Sequence, residues 1–262
     1  MMGGPGQGAR VGSEADAEAT RHSSPIAGRS SLGRRRIYLM RHAEVAYFDE
    51  TGHPYPPRTV ALTAEGREQA AAAARMLAPV PLDRVVTSPL PRTVETARFV
   101  IGDRALTPEA RENLREIEGG RLRDIPEEGL EAAFTGAFLR LGRESRFLGG
   151  ETFGGFVDRV VPAFLALCAE PGWRHLLIVA HGGTNRAILL HALGAGIAAF
   201  GAIEQDAACI NIIDVEPEPE GGGTRAIVRL LNHTPYNEQK LGLELTTMER
   251  LYRAYRPAGR GG

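Results

Sequence analysis

Four short apolar runs punctuate this chain: Ile37–Met40, Arg84–Thr87, His175–Ala180 and Cys209–Val215. Stretches with helical character separate the first three. Runs of this length, continuous rather than alternating, fit strands buried on both faces. Strands that alternate with helices specify a mostly parallel sheet with helices packed on each side. In such sheets ligands bind beyond the carboxyl ends of the strands. Arg41-His42-Ala43-Glu44 follows the first run, Ser88-Pro89-Leu90-Pro91-Arg92-Thr93 the second and His181-Gly182-Gly183 the third. Leu114-Arg115-Glu116 precedes the pair Gly119-Gly120. Two imidazoles, two guanidiniums and a carboxyl group are thereby expected at loops after strands, a set able to bind and transfer a phosphoryl group.

Local signals fill in the helices. Thr63 suits an N-cap with Gly66 three residues on, and the Ala-rich stretch to Leu77 favours a helix. Pro91 fits the first turn of a helix reaching about Val100. Phe153, Phe156, Val157, Val160 and Phe164 form one stripe of a helix from Thr152 to Ala169, which Pro162 should bend or split. A further helix is expected over Thr184–Leu193, and the strands Cys209–Val215 and Arg225–Leu231 should join through Gly221-Gly222-Gly223.

The ordered set Arg41-His42-x-Glu44, Leu62-Thr63-x-x-Gly66-x-x-Gln69-Ala70, Ser88-Pro89-Leu90-x-Arg92-Thr93-x-x-Thr96-Ala97, Leu114-x-Glu116-x-x-x-Gly120, Gly149-Gly150-Glu151-Thr152 and His181-Gly182-Gly183 resembles the histidine phosphatase superfamily, the phosphoglycerate mutase-like family. The resemblance implies a three-layer α/β/α sandwich. It also implies metal-independent hydrolysis of a phosphate monoester through a phosphohistidine. By resemblance His42 is the nucleophile, its other ring nitrogen held by a backbone carbonyl. Arg41 and Arg92 meet the phosphoryl oxygens as planar forks. His181 adds a donor in its protonated form, and the backbone near Gly182 another. Glu116 stands at the family's acid position, with Glu118 as a rival because the Gly pair blurs the register. Glu151 and Thr152 either border the phosphate pocket or only cap a helix. Arg58 and Arg186 read as exposed, with substrate contact as the alternative, and the same holds for His53.

Three positions depart from the family pattern: Ala43 replaces a common Gly, Val45 a frequent Thr, and Phe48 an Asn that contacts phosphate in many members. The segment 121–150 lacks the basic, Tyr-containing insert of the mutases, so phosphatase is the expected activity. Phosphoglycerate mutase-type transfer and a non-catalytic phospholigand-binding domain remain the alternatives. Tyr47, Phe48, Phe134, Phe138 and Phe147 hint at a partly apolar leaving group.

Composition narrows the partners. A net charge of −1 over 262 residues gives no general pull toward nucleic acid. No run is apolar enough for a bilayer and no signal-peptide core is visible, so a cytoplasmic protein with no membrane partner is expected. Cys168 and Cys209 lack the paired spacing of a zinc or redox site and read as buried thiols. No metal site and no cofactor are expected, and a homodimer is plausible by analogy with relatives. The expected organisation is a disordered extension over 1–33 containing His22, a domain over 34–236 with a cap-like insertion near 121–150, and a tail over 237–262.

Overall fold

The first apolar run forms β1 (Arg35–Arg41), flanked by parallel β4 (His175–Ala180) on one side and antiparallel β5 (Ile210–Pro217) on the other. The computed structural model describes residues 33–217 and 223–255, together with residues 1, 3 and 4. The expected N-terminal extension with His22, apart from residues 1, 3, 4 and 33, and the turn at Gly221-Gly222 lie outside the described residues. The chain divides into two units, Met1–Gly33 and Arg34–Gly262. The structure below is that of the second.

Six strands form one sheet in the order β3-β2-β4-β1-β5-β6, with β2 (Arg84–Thr87), β3 (Glu109–Ala110) and β6 (Thr224–His233) as the remaining members. The pairs among β1, β2, β3 and β4 are parallel, whereas β5 and β6 close one edge antiparallel. Alternation along β1 divides the core. Ile37 and Leu39 face α4 (Phe153–Ala169) and α5 (Gly182–Ala192), joined by Leu176 and Ile178 of β4. Tyr38 and Met40 face α1 (Ala64–Leu77) and α2 (Pro91–Ile101), joined by Leu177 and Val179. This is the three-layer α/β/α arrangement expected from the sequence.

The caps follow local chemistry. Thr63 accepts the Gly66 N–H at 2.9 Å at the head of α1. Pro91 opens α2, where its missing N–H costs nothing. α4 runs as one helix through Pro162, so the proline does not split it. The ring removes one intrahelical bond, and the packing of Phe156, Val160 and Phe164 into the core holds the helix together. α5 starts two residues earlier than expected, directly after His181.

The segment between β3 and α4 contains α3 (Glu127–Thr135) and short 3-10 turns. The segment expected as a tail carries α6 (Thr247–Tyr255). Leu130 and Phe134 of α3 pack with Met248 of α6 in a small apolar cluster of their own. Elements from two distant stretches therefore make a common cap. Its base is fastened where the backbone of Gly119 and Gly120 touches Leu148–Gly150: a Cβ on Gly150 would lie 2.2 Å from the Glu118 carbonyl oxygen.

Cys168 and Cys209 are both free and buried, and burial pushes each thiol up to about 12. No helix among the described residues is long and apolar enough to cross a membrane.

Candidate active site

Three neighbouring parallel strands, β2, β4 and β1, end side by side, and the next residues are Ser88, His181 and His42. The ladder continues briefly past the strands: His42 N–H donates to the Ala180 carbonyl at 3.0 Å and Ser88 N–H to that of Val179 at 3.2 Å. The His42 and His181 rings meet edge to face with centroids 5.3 Å apart. His42 lines the bottom of a cavity of about 960 Å³, and His181 lies fully buried beside it.

His42 is 2 % exposed. Its Nδ1 lies 2.7 Å from the Ala43 carbonyl oxygen, which can only accept, so Nδ1 carries the proton. The expected backbone partner is thus the carbonyl of the adjacent residue. Nε2 is left with its lone pair, 3.5 Å from the Tyr47 hydroxyl. Burial, reinforced by Arg92 and Arg41, holds this imidazole well below its ordinary value of 6.5, hence neutral. Ala43 is not among the residues with positive φ, and its N–H donates to Thr96 Oγ1 at 3.0 Å, so a methyl group is accommodated where the family often has Gly.

His181 differs from expectation. Its Nδ1 lies 3.3 Å from Arg92 Nη2, which can only donate, and its Nε2 lies 2.8 Å from Ser88 Oγ. The ring is therefore the neutral Nε2–H tautomer, and burial together with Arg92 keeps it well below 6.5. The expected protonated donor is corrected to a neutral ring, because two fixed cations and full burial oppose a third positive charge here.

Arg41 and Arg92 are 8 % and 3 % exposed. Arg41 donates through Nη1 to the Gln205 carbonyl at 2.6 Å and to Thr247 Oγ1 of α6 at 3.0 Å. Arg92 donates through Nη1 to the Pro57 carbonyl at 2.7 Å and packs over the Tyr47 ring at 5.7 Å. Neither forms an ion pair among the described residues, and the Nε of each is buried without a hydrogen-bond partner. Two desolvated, uncompensated guanidiniums beside a neutral imidazole make a strongly anion-seeking site.

Glu116 reaches the head of α5. Its carboxylate accepts the N–H groups of Gly183 at 2.9 Å, Thr184 at 3.1 Å and Ile117 at 3.0 Å. A Cβ on Gly183 would lie 2.4 Å from Glu116 Oε1, so only glycine allows this approach. The helix start expected to receive an anion is thus already engaged by a side chain at Gly183 and Thr184, while Gly182 itself lines the cavity. The rival Glu118 lies at the rim, 68 % exposed and paired with Arg58 at 3.1 Å.

Glu151 lines the cavity and pairs with Arg159 at 3.0 Å. Thr152 is the N-cap of α4, accepting from Gly155 at 3.2 Å, which is the capping alternative of the two it was given. Arg186, expected to be exposed, is buried: its guanidinium stacks 4.8 Å from the Phe138 ring and pairs with Glu204 at 2.8 Å. His53 is exposed, with its Nδ1 2.6 Å from Thr51 Oγ1. Tyr47, Phe48, Phe134, Phe138 and Phe147 all line the cavity.

Ser88 has no role predictable from its residue type; its place as first residue past β2, matching His42 and His181, is the signal in the sequence that marks it. Thr247 carried none, since more than two hundred positions separate it from Arg41.

A family model described as the histidine phosphatase superfamily (branch 1) matches residues 37–226. The chain belongs to this superfamily. Among curated relatives, an adenosylcobalamin/alpha-ribazole phosphatase of Escherichia coli is 30 % identical over 188 residues, 69 % of this chain and 90 % of that protein. A probable 2-carboxy-D-arabinitol-1-phosphatase of Arabidopsis thaliana is 26 % identical over 77 % of this chain, which spans only 42 % of the plant protein's length. The solved alpha-ribazole phosphatase of Shigella flexneri superposes with a TM-score of 0.61 at 26 % identity, covering 76 % of this chain and 96 % of that one. A mycobacterial glucosyl-3-phosphoglycerate phosphatase shares the fold, with a TM-score of 0.62 at 23 % identity over 76 % of this chain and 99 % of its own.

Proposed function

We propose that this histidine phosphatase superfamily member hydrolyses a small phosphate monoester through a phosphohistidine at His42 Nε2, without a metal. One observation carries the reading. Beside a neutral imidazole with a free Nε2 lone pair lie two buried guanidiniums with no carboxylate partner and with unsatisfied Nε–H groups. Relatives named as phosphatases support it.

The covalent route splits one difficult displacement into two. The His42 Nε2 lone pair attacks phosphorus, and the P–O bond to the alcohol breaks. The leaving oxygen takes a proton from Glu116, to which the ester monoanion has delivered it. Water then attacks phosphorus and gives a proton to Glu116. The N–P bond breaks, and its electron pair returns to Nε2. Arg41 and Arg92 stabilise the equatorial oxygens throughout, mainly by electrostatic preorganisation. His181, its tautomer fixed by Ser88, orients Arg92 through Nδ1.

The test uses 4-nitrophenyl phosphate with EDTA present. Wild-type protein should release phosphate and accumulate an acid-labile phosphoprotein when quenched during turnover. His42→Ala should lose both while retaining its circular dichroism spectrum. Wild-type turnover by the variant would refute the assignment of the nucleophile.

A further inference from the structure

Above the His42–Arg41–Arg92 floor the cavity changes character. Its size, about 960 Å³, lies at the upper end of the range of roughly 300–1,000 Å³ that holds drug-sized ligands. Its upper walls come from the cap: Phe134 of α3, Phe147 and Leu148 before α4, and Met248 and Leu251 of α6. Phe48, standing where many relatives place a polar Asn, lines the same space and packs on Tyr255 of α6 with centroids 5.6 Å apart. The family match ends at residue 226, so α6 lies outside the matched region.

Charge is distributed just as unevenly. Six arginines line the cavity. Four of them are already paired: Arg58 with Glu118, Arg115 with Glu112, Arg159 with Glu151 and Arg186 with Glu204. Arg41 and Arg92 alone among these six lack a carboxylate partner in the described residues, and both flank His42. The site therefore asks for one anionic group at its floor; Arg159 and Arg186 are held in more buried pairs, and Arg58 and Arg115 sit in exposed pairs away from the apolar cap walls.

We propose that the cap formed by α3 and α6 selects phosphate monoesters of bulky, uncharged alcohols with an aromatic or branched apolar body. This rests on the phosphatase reading above and adds the substrate class. An apolar body of ten or so heavy atoms would bury against Phe134, Met248 and Leu251. A second phosphate or a carboxylate on the alcohol would be desolvated against those same apolar walls, which carry no cation of their own.

The experiment compares kcat/KM for three alkyl esters of similar leaving-group chemistry: 3-phenylpropyl phosphate, ethyl phosphate and 3-phosphoglycerate. The phenylpropyl ester should exceed ethyl phosphate by at least about 30-fold, from burial of its ring and chain. The acidic ester should do no better than ethyl phosphate. Leu251→Asp should cut the phenylpropyl preference by at least about tenfold, chiefly through KM; Leu251→Gln serves if the first variant misfolds. A phenylpropyl-to-ethyl ratio near one, or a preference for 3-phosphoglycerate, would overturn the substrate class while leaving the phosphatase reading intact. Absence of turnover with every ester would instead count against that reading. Calorimetric binding of 3-phenylpropylphosphonate against ethylphosphonate then decides the inference without chemistry: tighter binding of the phenylpropyl compound supports the subsite, and equal binding refutes it.

Discussion

Replacing Glu116 with Gln separates the part this side chain plays in holding the site together from the part it plays in proton transfer. The carboxylate now satisfies three backbone N–H groups, two on Oε1 and one on Oε2. A carboxamide has one acceptor oxygen. With that oxygen in the Oε1 position, the amide NH2 faces the Gly183 N–H, donor against donor. One charge-assisted bond is lost, about 1.5–3 kcal/mol. The negative charge at the α5 N-terminus is lost as well, about 0.3–1 kcal/mol. The total is about 2–4 kcal/mol, which for a domain of this size lowers Tm by roughly 5–15 °C. The assay is thermal unfolding of Glu116→Gln beside Glu118→Gln, a chemically identical change at the exposed partner of Arg58. The Glu118 variant should shift Tm by less than about 2 °C, since exposed pairs contribute little. Equal Tm values for the two variants would refute the anchoring role of Glu116.

Further outcomes follow from other contacts. His42 and His181 are buried and neutral, with values well below 6.5, so the unfolded chain binds more protons than the folded one as pH falls through 6.5. Stability is therefore full above about pH 7 and declines below 6.5, by at most about 1.4 kcal/mol per pH unit for each imidazole; urea unfolding at pH 7.5 and 5.5 should show it, and a flat profile would contradict it. Ser88→Ala removes the acceptor for His181 Nε2–H, which should cost about 1–3 kcal/mol in stability and lower kcat more than it alters KM; unchanged kcat would argue that His181 needs no fixed tautomer. Gly150→Ala forces a Cβ into the Glu118 carbonyl and should destabilise by about 1–3 kcal/mol, with faster proteolysis of the 121–150 segment as its visible sign; protection equal to wild type would show that the backbone there can yield.

Five of the six strands and the helices packed on them were legible because they answer to local rules, whereas the two-residue β3, exposed at the sheet edge, carries no apolar run to mark it. Ile37–Met40 is continuously apolar because it is buried on both faces, and Thr63, Pro91 and Thr152 mark helix starts by chemistry that acts within one turn. His42 and His181 could be placed at the sheet edge from sequence because they follow strand ends directly. What escaped was set by distant contacts or by burial. The protonation of His181 depends on Arg92 and Ser88 arriving from another strand and helix. The burial of Arg186 depends on Phe138, Phe200 and Glu204. The anchoring of Arg41 by Thr247 joins opposite ends of the domain, and no pattern within a window of sequence encodes such a meeting.

His42, Ser88 and His181 draw their spacing from the strand ladder, whose neighbours stand about 4.8 Å apart, and the two rings sit 5.3 Å apart accordingly. The walls above them belong to stretches that contribute nothing to that ladder. Most of the recognition surface is in this way written on other pieces of the chain than the reacting groups, with Thr247 of α6 as the tie between them. A graft of a foreign 121–150 segment can change which alcohol is admitted while the strand-end groups stay in place, whereas a rebuilt α6 must keep Thr247 to hold Arg41.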